Sequence, residues 1–318
     1  MKLLLPATLL MALLTPLTAM SQSVEALEIT FVVNDAFVKD RLLEDAGISI
    51  AREAGGEAIA EGVTDLQGHW ITELAAGTYF ISYRHSGYVP IGSSETKIHT
   101  NGQIITTTLS MLLEAEGGDF ARRVRIVLNW GSDTSQVQDA DSHILCPCEN
   151  ATSHVFFSSK DHVHENGLEN GLLINLDVDD TDWGGPETIT LSDPEPGNYQ
   201  YWVYNYSGAP ERLGTSDVII RVFFDDELEG EYRVPPDVSD RNWRPFKALI
   251  IESDFRPRIL PFTDEELSQG LDRLEPTLPI PPTQIPGTSG SSEPGWMRIA
   301  VLVIFALFII RMIRRKRR

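Results

Sequence analysis

The sequence predicts a mainly β fold: two β-sandwich domains, a proline-rich stalk and a single C-terminal transmembrane helix. Three features carry that expectation. Apolar and polar residues alternate with a period of two over many short runs, as strands buried on one face require. Apolar segments stand at both ends of the 318-residue chain. Prolines at 276, 279, 281, 282 and 286 break up the stretch ahead of the second apolar segment.

In chain order, Met1-Lys2, the apolar run Leu3 to Leu14 and the small residues around Ala19-Met20-Ser21 have the layout of a secretory signal, so residues 1–21 are expected to be removed. No cysteine lies near that site, which argues against an N-terminal lipid anchor. At the other end, the 18 residues 296–313 span roughly 27 Å as a helix, a marginal match to a hydrocarbon core of roughly 30 Å. Arg298 and Arg311 would snorkel toward the two interfaces. The tail 314–318 is entirely Arg and Lys and belongs on the cytoplasmic side, with the domains outside. A buried core helix is the alternative, and five consecutive cations suit a lipid interface better. Glu293-Pro294-Gly295 loosely resembles a C-terminal sorting signal, but a Leu-Pro-x-Thr-Gly pentapeptide is absent, so permanent anchoring is expected.

Setting aside Lys2 and the seven basic residues from Arg298 onward leaves 18 basic residues against all 46 acidic ones, a net charge of about −28 on the exported part. Such an excess repels nucleic acid and anionic lipid and favours solubility or cation binding. The roughly 274 residues between the two signals suffice for two ordinary domains.

The first domain is expected over 24–114. Leu27, Ile29, Phe31 and Val33 alternate with polar neighbours, and similar runs occur at 47–51, 58–64, 69–74, 79–83 and 104–112, separated by turn residues such as Gly55-Gly56 and Asp65-Leu66-Gln67-Gly68. Six or seven short strands in so short a stretch imply a sandwich. The charged segment 38–46 is read as a loop. With Ala46-Gly47-Ile48-Ser49-Ile50, Thr64-Asp65-Leu66-Gln67-Gly68-His69-Trp70, Leu74-Ala75-Ala76-Gly77-Thr78-Tyr79-Phe80 and Gly87-Tyr88, this domain resembles the carboxypeptidase regulatory-like, prealbumin-type sandwich. The resemblance implies a spacer or accessory module and no activity.

A Glu- and Gly-rich hinge at 114–119 leads to a second β domain over 119–255. Val124, Ile126, Leu128 and Trp130 share one strand face, and further strands are expected at 199–206, 218–224 and 246–251. Thr263-Asp264-Glu265-Glu266 is a capping box that opens a short helical connector within 256–275, and 276–295 reads as a semi-extended stalk.

Chemistry concentrates in the second domain. Asp139 and Asp141 form one acidic cluster; Asp179, Asp180, Asp182 and Glu187 form another, with Asp177 beside it and Gly184-Gly185 in its turn. Alternating oxygen donors around a glycine turn are what Ca²⁺ needs, because it takes six to eight carboxylate and carbonyl oxygens. The spacing is not that of an EF-hand. Aspartates that merely cap tight turns are the competing explanation.

Leu128-Asn129-Trp130, Asp139-Ala140-Asp141-Ser142-His143-Ile144, Asp179-Asp180-Thr181-Asp182, Gly185-Pro186-Glu187 and Pro196-Gly197-Asn198-Tyr199 together resemble the YfaP-type extracellular β domain of bacteria. That resemblance implies a β-sandwich with an Asp-x-Asp-x-His turn and no defined reaction. The chain departs from it after the His strand, where Cys146-Pro147-Cys148 replaces a Gly-Pro turn.

Cys146 and Cys148 are the only cysteines, and outside the cytoplasm a disulfide between them is expected, with Pro147 supporting the turn. Free thiols are one alternative. Another joins His143, Cys146 and Cys148 with His154, His162 or His164 as soft ligands for Zn²⁺ or copper. Trp183, Trp202, Tyr204 and Tyr206 are candidates for a sugar-stacking platform or for ordinary core. No Gly-x-Ser-x-Gly, His-Glu-x-x-His, phosphate loop or Gly-x-Gly-x-x-Gly occurs, so no enzyme is expected.

The expected function is that of a membrane-anchored periplasmic or cell-surface interaction protein. It would have a Ca²⁺-stabilised β domain, a protein or glycan partner outside the cytoplasm, membrane contact through its C-terminal helix, and no nucleic-acid partner. The alternative is a redox or soft-metal protein working through His143, Cys146 and Cys148.

Overall fold

The computed structural model describes residues 25–113, 122–147, 153–163, 172–208, 213–252 and 257–276. The signal segment, the hinge, the stalk beyond Pro276 and the transmembrane segment expected from the sequence lie outside these residues. No helix among the described residues is long and apolar enough to cross a membrane. The described residues are mainly β, arranged in four sheets.

Two of the sheets come from the first part of the chain. β1 (Ala26–Asp35), β2 (Gly47–Ala51), β3 (Ala58–Val63), β4 (His69–Ala75), β5 (Gly77–Arg84), β6 (Ile91–Ile98) and β7 (Gln103–Leu109) form a three-stranded sheet β4-β1-β7 and a four-stranded sheet β3-β2-β5-β6. β1 runs parallel to β7 and antiparallel to β4, with Phe31 opposite both Trp70 and Ile105. Its alternation is real: Ile29, Phe31 and Val33 are buried against Ile48, Ile50, Tyr79, Ile81 and Tyr83 of the facing sheet. Residues 38–46 contain no regular helix or strand. β6 is not legible in the sequence, because Gly92, Ser93, Glu95 and Lys97 dilute its apolar positions.

The second part contributes two larger sheets. Its strands are β8 (Arg123–Asn129), β9 (Ala140–Cys146), β10 (Ser153–Val155), β11 (Asp161–Val163), β12 (Leu172–Val178), β13 (Glu187–Ser192), β14 (Gly197–Asn205), β15 (Ile219–Phe224), β16 (Glu227–Arg233), β17 (Asn242–Trp243), β18 (Ala248–Ile251) and β19 (Pro257–Leu260). One sheet runs β10-β9-β14-β18-β19, with β17 also on β14, and the other runs β11-β12-β13-β8-β15-β16. Val124, Ile126 and Leu128 meet Ile144, Tyr199, Tyr201 and Val203 across a common core. Asp139-Ala140-Asp141-Ser142-His143 leads into a strand instead of forming a turn. Ala140 and Ile144 point into the core, leaving Asp141 and His143 on the outer face with the same period of two.

Every residue of β8 is buried, since its outer face is covered by the first part of the chain. Arg123 Nη2 donates to the Met111 carbonyl (2.7 Å), Arg125 Nη1 to Ser110 Oγ (3.3 Å), Asn129 Nδ2 to Thr108 Oγ1 (2.9 Å) and Arg221 Nη2 to Ser94 Oγ (3.1 Å). Ala36 and Val89 pack there on Val127 and Phe223. The two parts are thus joined by buried arginines reaching across to hydroxyls and a carbonyl.

The connector has a shorter helix than its sequence pattern implies. α1 (Asp264–Ser268) opens with the reciprocal Thr263–Glu266 capping box, but Gly270 at φ 70° turns the chain, and only a 3₁₀ turn at Leu271–Arg273 comes after it.

Candidate functional site

The acidic residues meet at one corner of the second sandwich. β10 covers only residues 144–146 of β9, so the edge of β9 ahead of Ile144 is left open on that side. Glu187, the first residue of β13 in the facing sheet, fills the gap: its Oε2 accepts the Ser142 N–H. The turn ahead of it needs glycines. Gly184 and Gly185 have φ of 100° and 69°, and a Cβ on Gly185 would stand 2.8 Å from the Trp130 ring. That close approach sets where β13 begins and hence where Glu187 points.

Around Glu187 the carboxylates are crowded and dry. Glu187 is fully buried, Asp141 is 3% exposed and Asp139 is 9% exposed. Glu187 Oε1, Asp141 Oδ2 and Asp139 Oδ1 have no hydrogen-bond partner. Asp179, at the end of β12, meets the Glu187 side chain. Desolvation, joined by the charge of Asp141, pushes the Asp139 pKa up to about 7. Desolvation and then the Asp179 charge do the same to Asp141, also to about 7. Glu187 is raised well above its ordinary value, first by burial and then by Asp141.

Two lysines answer part of this charge. Lys160 Nζ pairs with Asp179 Oδ2. Lys39, from the first part of the chain, donates to the Asp179 carbonyl (2.7 Å) and lies 3.9 Å from Asp180 Oδ1. Neither lysine is legible in the sequence, because Lys39 stands 140 residues from its partner and Lys160 pairs across a strand connection.

The six acidic residues singled out by sequence therefore divide. Asp139, Asp141, Asp179 and Glu187 converge. Asp180 accepts the Asp182 N–H (3.3 Å), which is turn-capping, and Asp182 accepts from Gln138 Nε2 (3.4 Å). Asp177 belongs elsewhere, beside Asn175, Thr190 and the Arg125 guanidinium. Among the described residues no group of three or more His, Cys, Asp or Glu side chains is placed so that it could hold a metal ion.

Among the described residues the soft-ligand set does not come together. Cys146 points into the core and is disulfide-bonded, whereas His143, three residues earlier, faces outward, as residues of odd separation on a strand must. Cys148 and His164 lie outside the described residues. His143 instead stacks on Trp202 (4.8 Å) and is joined to His154 by an Nδ1 to Nε2 hydrogen bond (2.9 Å). Burial lowers both pKa values to about 4, so the pair is neutral at pH 7. The His143 Nε2 stands 3.9 Å from Asp141 Oδ2.

Trp202 offers no sugar platform, for a simple steric reason: it is 1% exposed, its ring neighbours being His143 and His154. Of Trp202, Tyr204 and Tyr206, only Tyr206 is largely exposed, at 52%.

No family model matches the chain, and no curated protein does. Among solved structures, one of a protein of unknown function is similar at 14% identity, covering 44% of this chain and 87% of that one with a TM-score of 0.35. The Bacillus anthracis TIE protein is similar at 16% identity over 55% of this chain and 28% of that one, TM-score 0.25. A putative carbohydrate-binding protein from Bacteroides uniformis is similar at 11% identity over 65% of this chain and 95% of that one, TM-score 0.23. Likenesses this distant carry no argument about function.

Proposed function

We propose that the protein is an exported, membrane-tethered interaction protein whose second β domain is locked by Ca²⁺ at the Asp139/Asp141/Asp179/Glu187 corner. The observation that carries this is the set of three buried carboxylate oxygens without hydrogen-bond partners, one each on Asp139, Asp141 and Glu187, in a cluster where the Asp141 charge raises the pKa of both others. Unpaired buried charge costs several kcal/mol unless it is neutralised or coordinated. A bound divalent cation supplies that neutralisation, and carboxylate oxygens are the donors Ca²⁺ prefers. Asp139, Asp141, Asp179 and Glu187 would hold the ion, with Asp180 and Asp182 close enough in sequence to complete its shell.

The first domain then has a supporting role. Its Lys39 holds the Asp179 carbonyl in place, and the arginine-lined contact fixes the two domains to each other. The carboxypeptidase regulatory-like and YfaP-type resemblances support a spacer followed by a binding domain. No catalytic step is assigned, and the partner is a protein or glycan outside the cytoplasm. Soft-metal ligation by Cys146 is disfavoured by its disulfide, and attack on its sulfur by a reductant is disfavoured by its burial in the core.

The test is thermal unfolding of the full chain in detergent with chelator, with Ca²⁺ and with Mg²⁺. A Tm raised by Ca²⁺ and not by Mg²⁺ at equal concentration supports the proposal; three coincident transitions refute it.

A further inference from the structure

The contact between the two parts of the chain leaves a cleft. Residues of β6 and β7 form one wall, and residues of β8 and β15 form the other. Ile219 stands opposite Asn129 in the β15–β8 pairing, so Arg221, two residues on, projects from the same face as both. That face turns toward the first part of the chain, where Asn129 Nδ2 meets Thr108 Oγ1 and Arg221 Nη2 meets Ser94 Oγ. The cleft measures about 60 Å³, room for roughly four to six atoms the size of a water oxygen. A hollow of about 240 Å³ adjoins it through Gln103, Ile104 and Asp217, which line both.

Two buried polar atoms on the residues of this wall are unsatisfied. Arg221 is 2% exposed; its Nε donates to Glu231 Oε2 (2.9 Å) and its Nη2 to Ser94 Oγ (3.1 Å), while Nη1 has no hydrogen-bond partner. Asn129 is as deeply buried. Its Nδ2 donates to the Gly184 carbonyl (3.4 Å), which can only accept and so fixes the amide's orientation, leaving Oδ1 as an acceptor without a partner. A guanidinium N–H and an amide oxygen buried unpaired cost free energy that a ligand of matching pattern recovers.

The local charge sets the sign of that ligand. The chain carries −20 overall, yet the charged residues lining the cleft are Lys97, Arg221 and Arg233 against Asp217 alone. Counting Glu231, which also accepts from Arg233 Nη2 (3.0 Å), three cations face two carboxylates. The matching ligand is therefore an anion that also offers an O–H to Asn129. Further hydroxyls suit the adjoining hollow, which Thr100, Asn101, Ser132 and Gln136 line with hydroxyl and amide groups.

We propose that this cleft binds the carboxylate end of an acidic sugar, a hexuronate. Arg221 Nη1 and Arg233 take the carboxylate, Asn129 Oδ1 accepts a neighbouring ring hydroxyl, and the remaining hydroxyls lie over the adjoining hollow. This gives the glycan partner proposed above a chemical class, and it rests on that reading only for where the ligand is met; the calcium corner plays no part in it.

The test is calorimetry of the full chain in detergent with chelator, using glucuronate, glucose, acetate and phosphate as probes. Chelator keeps the calcium corner empty, so failure of one site is read apart from failure of the other. One glucuronate bound per chain, at least tenfold more tightly than the other three probes, is the expected result. Acetate or phosphate binding as tightly as glucuronate would reduce the cleft to an oxyanion pocket, glucose binding as tightly would remove the role of charge, and no binding would leave it empty; each overturns the proposal. Arg221→Lys keeps the charge but lacks Nη1 and is expected to weaken glucuronate about tenfold. Lys97→Gln with Arg233→Gln changes only exposed side chains of the cleft and should weaken it several-fold, so this variant decides alone if Arg221→Lys fails to fold. Arg258→Gln, an exposed cation on β19 that does not line the cleft, leaves binding unchanged. Equal affinity in the double variant and in Arg258→Gln would also overturn the proposal.

Discussion

Replacing Asp141 by Asn separates an ion site from a merely structural acidic turn. Asp141 is 3% exposed, its Oδ2 has no partner, and its pKa is pushed from 3.8 up to about 7 by burial and the Asp179 charge. A displacement of about three units is worth roughly 4 kcal/mol between the two protonation states. The folded pKa lies above the unfolded one. The stability held by the protonated carboxyl is therefore complete below about pH 4 and lost as the pH rises through about 7. Asp139 has the same sign; because the two are coupled, their joint effect is less than the sum. Asparagine keeps the shape and cannot ionise. In chelator at pH 8, Asp141→Asn is thus expected to stabilise the chain by roughly 2–4 kcal/mol, on the order of 5–10 °C in Tm. At pH 5 the gain shrinks. In Ca²⁺ the gap narrows, because an ion at about 100-fold over its Kd adds about 2.7 kcal/mol to the unsubstituted chain and little to the variant. Near-UV circular dichroism melts at both pH values, with and without Ca²⁺, read all of this. A variant that loses stability at pH 8 in chelator, or gains as much from Ca²⁺ as the unsubstituted chain, refutes the reasoning.

The same geometry sets four other expectations. His143 and His154, lowered to about 4 by burial, contribute stability above about pH 6.5 that is lost as the pH falls through about 4. Asp139 and Asp141 lose stability over that same window, so the His gain offsets much of their loss up to about pH 6.5, and the chelated chain is expected to lose Tm more steeply above about pH 6.5 than below it; the opposite order would contradict this. Lys160→Ala removes an exposed pair with Asp179; it should cost under about 1 kcal/mol in chelator and tighten Ca²⁺ binding measured by calorimetry. Gly185→Ala forces a Cβ against Trp130 at a positive φ and should cost roughly 2 kcal/mol or more by chemical denaturation. Arg125→Ala leaves Asp177 without its guanidinium and should cost roughly 3 kcal/mol, splitting one calorimetric transition into two as the domains part.

Legibility in the sequence tracks exposure. β1 and β15 can be read because the former alternates between core and a half-exposed face and the latter is strongly apolar. β9 cannot, because its outward Asp141 and His143 make a strand look like a turn. The acidic residues are visible as a set; their division between ion corner, turn cap and Arg125 partner depends on pairing across sheets, which no local pattern encodes. The opposite facing of Cys146 and His143 is a matter of parity, since residues three apart on a strand point opposite ways. That parity has meaning only once the strand is recognised, and the acidic outer face conceals it. The arginines of β8 give no sign of being buried, as their partners Ser110 and Met111 belong to the other half of the chain.

The central claim is tested most directly by titrating Ca²⁺ into the full chain near pH 7, by calorimetry in two buffers of different ionisation enthalpy. Carboxyls at Asp139 and Asp141 that are part-protonated without metal must shed protons to coordinate it. One ion bound per chain, with an enthalpy that shifts between buffers by roughly one released proton and a signal abolished in Asp141→Asn, is the predicted result. Binding heat absent in both buffers, or unchanged in Asp141→Asn, would contradict it.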